Sequence, residues 1–291
     1  MLYNYIVRIS ITERTGEKMK EKISLAGDLG SGKSTVSDIL IKELGAEYYS
    51  TGSIVRSIAN SMGMSVVELN KYMETHPEID KRIDDGLKEL SFDERLLIID
   101  SRMAWHFTKG TFKVYLSTDI ETSALRIMNA NRKGEHSSTL EETVESTKAR
   151  RASEQKRYME QYGVDIKDLT NYALVVDTTG ATPEEVAGVI IASFESWQND
   201  RGFSMCYISP ERLNFLDDAP DGDRIGALAE SLEKGESIPE ITVFECGGEF
   251  YVEDGLESAL AYAINMYSFV PAKLVKGAVG GRKYVKMKNS I

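Results

Sequence analysis

The chain has 291 residues, 42% of them hydrophobic and 28% charged, enough to build a packed core in two domains or in one domain with an appended module. Its 46 acidic and 35 basic residues leave a formal charge of −11, which excludes a broad polyanion-binding surface, and so nucleic acid as a partner, while allowing a small anionic substrate wherever positive charge is gathered locally. Two cysteines, Cys206 and Cys246, exclude a secreted disulfide framework, and no apolar run approaches a membrane span, so a soluble protein of the reducing cytoplasm is expected.

Residues 1–19 lack the apolar core of a signal peptide and read as an N-terminal extension outside the fold. "KISLAG" (22–27) then forms an apolar strand that runs into a glycine turn. Val36, Ile39, Leu40 and Leu44 make a helical stripe stopped by Gly45. "EYYS" (47–50) is a second strand, followed by helical stretches broken at His76-Pro77, because proline restrains the residue before it. "RLLIID" (95–100), "FKVYLS" (112–117) and "YALVVDTT" (172–179) supply three more strands, each with a helical segment behind it. Five strands alternating with helices imply an α/β fold, a parallel sheet covered on both faces.

"GDLGSGKST" at the end of the first strand satisfies GxxxxGK[ST] in full. Gly27, Gly30 and Gly32 let backbone N–H groups curl around a phosphate, with Ser31 among them, and the next helix aims its N-terminus at the anion. Lys33 reaches the β/γ oxygens of ATP, Ser34 ligates Mg²⁺, and Thr35 completes the phosphate cradle. A chance glycine-rich turn would lack the strand before and the helix after. Asp100, ending an apolar strand, is placed to hold the water shell of the same Mg²⁺; its bland alternative is a helix cap.

No base-reading NKxD segment of a switch GTPase is present, and the chain has no room for the long sheets of motors. It carries instead an arginine series: Arg56, Arg102, Arg126, Arg132, Arg150 and Arg157. Between residues 126 and 157 there are eight basic residues and five acidic ones, so positive charge is concentrated there. Guanidinium forks suit the crowded oxygens of a phosphoryl transfer. On a solvated helix, Arg150, Glu154 and Arg157 would instead form an ordinary salt-bridge ladder. His76, His106 and His136 lack metal-ligand spacing and read as structural or exposed.

The phosphate loop, "YYSTGSIVRSIANSMGMSVVELNKYMETHPEIDKRID", "IIDSR" and "ETVESTKARRASEQKRYMEQYGVDIKDLTNYALVVDTT" together resemble the cytidylate kinases, especially their short, archaeal-type branch, over about residues 20–197. That resemblance implies a P-loop three-layer α/β/α fold with a five-stranded sheet in the order 2-3-1-4-5. It also implies a helical acceptor-binding region near 51–90 and a mobile lid near 129–150. It makes Arg56 the arginine that grips the acceptor phosphate and Arg102 the catalytic and acceptor-binding arginine after the strand-three acid, and Arg150 and Arg157 the pair that clamps the transferring phosphoryl and the acceptor phosphate. Glu154 would face the acceptor ribose, and Arg132 is the candidate lid arginine. The expected reaction is transfer from ATP to CMP, dCMP or a close analogue. Ser101 stands where the family usually has glycine, so a crowded acceptor pocket is expected. A kinase for another acceptor, and a non-catalytic nucleotide sensor, are the competing readings.

Beyond Trp197 the composition changes. "QNDRGFS" is polar and reads as a linker, placed at 198–203, ahead of a small unit over 204–291. That unit has a helix carrying Ile225, Leu228, Ala229 and Leu232, a hairpin turning at Gly247-Gly248, and a helix at 255–265. Its layout is similar to the ParB-like fold, but Asp254-Gly255 is followed by Leu256, Glu257 and Ser258 where that family has a basic cluster. Residues 204–275 hold 14 acidic and four basic residues, so a protein partner or a regulatory role is expected rather than nucleic acid.

Overall fold

A computed structural model describes residues 21–130, 139–217 and 219–287. The expected extension at 1–19, the lid arginine Arg132 and His136 lie outside the described residues.

The first half of the chain alternates strand and helix. Strands β1 (Lys22–Gly27), β2 (Glu47–Ser50), β3 (Leu97–Asp100), β4 (Thr111–Ser117) and β5 (Leu174–Asp177) are interleaved with α1 (Lys33–Leu44), α2 (Thr51–Ser61), α3 (Val66–Met73), α4 (Pro77–Glu89), α5 (Ala104–Phe107), α6 (Ile120–Asn129) and α7 (Leu140–Tyr162). Local chemistry explains the boundaries. Val36 and Leu40 bury one face of α1, which ends at Gly45 in the left-handed conformation. Ser65 and Glu68 form a reciprocal capping box on α3, and Pro77 opens α4, where a missing N–H costs nothing. The 23-residue α7 starts on the hydroxyl of Thr139 and stops at Gly163, again left-handed.

After α8 (Pro183–Asn199) come β6 (Met205–Ile208), β7 (Leu213–Leu216), α9 (Gly222–Glu233), β8 (Thr242–Cys246), β9 (Glu249–Asp254), α10 (Leu256–Ile264), β10 (Val270–Leu274) and β11 (Tyr284–Lys286). All strands belong to one 11-stranded sheet in the order β11-β7-β9-β8-β10-β6-β5-β4-β1-β3-β2. The expectation of a sheet confined to five strands is therefore corrected. Strand β6 adds in parallel to β5, and β10 then adds antiparallel to β6, carrying the sheet into the C-terminal part. The edge of β5 is a row of unpaired backbone groups that the next strand satisfies.

Two cores flank the sheet. On one face, α1 and α8 pack Val36, Leu40, Ile190 and Phe194 over Ile23, Leu25 and Phe112. On the other, Trp105, Tyr115, Tyr158 and Tyr172 join Val175 in a cluster that continues without a break into Cys206, Phe215, Val243 and Phe250. Each large side chain so buried contributes roughly 1.5–3 kcal/mol, so the C-terminal strands are cemented to the first half. No helix among the described residues is long and apolar enough to cross a membrane.

Candidate active site

The site lies where β1 and β3 deliver their C-terminal ends side by side, Leu25 in register with Asp100. The loop after β1 needs its glycines. Gly27 has φ +151°, and a Cβ there would lie 2.5 Å from the Leu116 carbonyl oxygen. Gly30 has φ +71°, with an added Cβ 2.5 Å from the Ser123 carbonyl. Gly32 caps α1 without a side-chain bond, leaving the first N–H groups of the helix as anion donors. Ser31 braces the turn by donating to the Asp28 carbonyl at 2.8 Å.

Lys33 lies folded across this loop, its Nζ donating to the carbonyls of Gly27 at 3.1 Å and Asp28 at 2.9 Å. Burial and the nearby Arg102 guanidinium bring its pKa down to about 7, against the pull of Asp100, Asp28 and Glu154. Ser34 and Thr35 sit exposed on the first turn of α1. Asp100 accepts a bond from the Tyr48 hydroxyl at 2.9 Å. Mg²⁺ held with a nucleotide needs few protein oxygens, because phosphates and water fill most of its octahedron. The hydroxyl of Ser34 and the carboxylate of Asp100 suit that demand.

Three of the predicted arginines converge. Arg102 bonds Glu154 at 2.9 Å through Nε and donates through Nη1 to the Gly27 carbonyl. Arg150 reaches the other oxygen of Glu154 at 3.3 Å. Burial opposes the charge on Glu154, but Arg102 and Arg150 outweigh it and hold its pKa at about 2. Arg157, buried, pairs with Asp80 at 3.0 Å and donates to the Asn70 carbonyl at 3.3 Å. Burial of Glu154 and Arg157 rules out the solvated ladder that their spacing alone permits. Arg56 stands apart: it is exposed, and its Nη2 donates to Ser53 of its own helix at 3.0 Å. Ser101 is buried, with its hydroxyl accepting the Met103 N–H at 3.2 Å, so the extra side chain is turned inward.

Asp28, Arg151, Lys167, Asp80 and Asp84 were not singled out by sequence reasoning. Asp28 accepts from the Tyr115 hydroxyl at 2.8 Å, from the Thr118 N–H at 3.1 Å and from Lys167. Arg151 lies 3.7 Å away. Burial opposes ionisation of Asp28, yet Lys167 and Arg151 keep its pKa at about 2, so a fixed anion pins the phosphate loop to β4. The only sequence signal was an acid inside a loop of otherwise small residues. Asp80 and Asp84, four apart on α4, offered a clearer one, since that spacing places both on one helix face. Burial pushes Asp84 up to about 6, beside the hydroxyl of Tyr162.

Residues 22–180 match the cytidylate kinase-like family, more than half of the chain. The chain is 38% identical over 174 residues to a cytidylate kinase of Thermoplasma volcanium, covering 58% of this chain and 89% of that protein. It is 36% identical over 181 residues to an S-adenosylmethionine-dependent nucleotide dehydratase of Lacinutrix mariniflava, covering 61% of this chain but only 36% of that protein. Among solved structures, a shikimate kinase of Aquifex aeolicus is similar over 62% of this chain and 99% of its own, with a TM-score of 0.40 and 23% identity.

Proposed function

Because the chain belongs to the cytidylate kinase-like family, we propose that it transfers the γ-phosphoryl group of ATP to the phosphate of CMP or dCMP. The observation that carries this is the meeting of Lys33 and Arg102 on one backbone oxygen, that of Gly27. Two cations held against a carbonyl at the mouth of a phosphate loop exchange that weak acceptor for phosphate oxygens, which are stronger ones. Mg²⁺, held by Ser34 and Asp100, supplies charge neutralisation across the β and γ oxygens.

Lys33 and the loop glycines then orient the donor, with Arg132 as its lid ligand. Arg102, Arg150 and Arg157 neutralise and align the reacting oxygens, and Arg56, Arg102, Glu154 and Arg157 hold the acceptor. In-line transfer needs positioning and charge more than a side-chain nucleophile, and none is assigned. Residues 20–197 serve as the kinase domain, 198–203 as a linker and 204–291 as a ParB-like module open to a protein partner, all in the cytoplasm. The order β6, β7, α9, the β8–β9 hairpin and α10 supports that assignment of the module.

ADP release across a panel of nucleoside monophosphates tests the proposal, with Lys33→Ala as the dead control. Turnover with CMP or dCMP is the expected result. Turnover only with another acceptor would move the substrate, and binding without turnover would leave a nucleotide sensor.

A further inference from the structure

Helices α2 and α3 hold a small apolar cluster of their own, Ala59, Leu69 and Met73, separate from the two cores that flank the sheet. Polar groups bridge α3 and α4 to α7. The Ser153 hydroxyl donates to Glu74 at 2.6 Å, Gln161 donates to Asp80 at 3.4 Å, and the Tyr162 hydroxyl donates to Asp84. In this seam Asp80 and Arg157, only 3% and 5% exposed, form an ion pair at 3.0 Å.

A buried pair of this kind adds little to stability over apolar side chains of similar volume, because desolvation of two charges offsets their attraction. Its geometry points to another use. Asp80 takes Arg157 at Nε, the inner nitrogen of the guanidinium, and leaves the terminal nitrogens to others. Of these, Nη1 reaches the backbone carbonyl and the side-chain oxygen of Asn70 at 3.3 and 3.5 Å. Both contacts are long and neutral, so a phosphate oxygen, shorter-bonding and charged, displaces them.

Asp80 is thus the fixed hold on Arg157, and Asn70 the exchangeable one. An arginine already fixed before its ligand arrives loses less side-chain freedom on binding than a free one does. Resting on the reading of Arg157 as an acceptor ligand, we propose that Asp80 is a positioning residue: from α4 it sets the Arg157 guanidinium for the acceptor phosphate, without itself touching the acceptor.

The test is calorimetric titration of the full chain with CMP, on the wild type, Asp80→Asn, Arg157→Lys and the variant carrying both changes. Asp80→Asn keeps the side-chain shape and removes the charge, and it should weaken CMP binding about tenfold. ATP, titrated separately, should bind as it does to the wild type, a split that a general loosening of the fold would not give. Arg157→Lys removes Nε and the fork, so adding Asp80→Asn to it should cost CMP binding nothing more, as expected of a residue that acts only through that arginine. Thermal unfolding checks that each variant is folded; if Asp80→Asn is not, Asp80→Glu, with its carboxylate one methylene further out, makes the same comparison.

Unchanged or tighter CMP binding by Asp80→Asn, an equal loss of ATP binding, additive losses in the double variant, or no CMP binding by the wild type would each overturn the proposal. Turnover is read separately: a wild-type chain that binds CMP but releases no ADP loses the kinase reading and keeps this one.

Discussion

Lys33 is held near neutrality by burial and by Arg102, although a phosphate-binding lysine must carry its charge. In the proposed function, bound ATP is the anion that restores its ordinary basicity. At pH 8, above its pKa of about 7 in the free protein, nucleotide binding should take up a proton; at pH 6 it should not. Heats of binding compared in buffers of different ionisation enthalpy measure this directly, and buffer-independent heats at pH 8 would refute it. Glu154 shows the opposite sign. Its pKa of about 2 lies below the ordinary 4.5, so its stabilising contribution is complete above pH 4.5 and is lost as pH falls through 2. Glu154→Gln leaves Arg102 and Arg150 without their buried counter-charge and should cost about 3 kcal/mol at pH 7, a gap that narrows on acidification. Denaturant unfolding across pH 2–7 checks both halves of that statement.

At the scale of the element, the phosphate loop tolerates little. A methyl group at residue 30 meets the Ser123 carbonyl of α6 and also imposes a left-handed backbone on a residue with a Cβ. Gly30→Ala should therefore cost about 1–2 kcal/mol and weaken ATP binding by about tenfold or more, as read by equilibrium binding. Strand β1, helix α1 and the loop between them were legible beforehand because every signal was local: an apolar run, glycines, and a 3.6-residue stripe. The hairpin of β8 and β9 was legible for the same reason, through its Gly-Gly turn. Strands β10 and β11 were not anticipated. Both are short, and each earns its strand geometry from a partner distant in sequence, β6 for Val270–Leu274 and β7 for Tyr284–Lys286.

For the whole molecule, the decisive joint is between β5 and β6. Asp177, fully buried, is paired with Arg212 at 3.2 Å and accepts the Ser209 N–H at 3.2 Å, while the Ser209 hydroxyl accepts the Gly180 N–H at 3.1 Å. Arg212→Met removes one partner of a buried pair and should destabilise the full chain by about 3–5 kcal/mol, visible in thermal unfolding. A chain cut after Asn199 loses β6, bares the edge of β5 and uncovers Val175 and Tyr172 in the shared core. Such a fragment should sediment as aggregates, and a monodisperse, active fragment would show that the joint is dispensable.

Residue order alone determined the phosphate loop, the alternation of strand and helix, and the surplus of arginine before the fifth strand, because each is written in neighbours a few positions apart. Only the tertiary structure decided which charges meet. Arg102 and Glu154 are 52 positions apart and Lys167 and Asp28 are 139 apart, and no local pattern encodes such pairs. The same limit hid the continuation of the sheet into residues 204–287. Backbone hydrogen bonding across a sheet depends on which strand edges are left open, and that is settled only when the whole chain has folded.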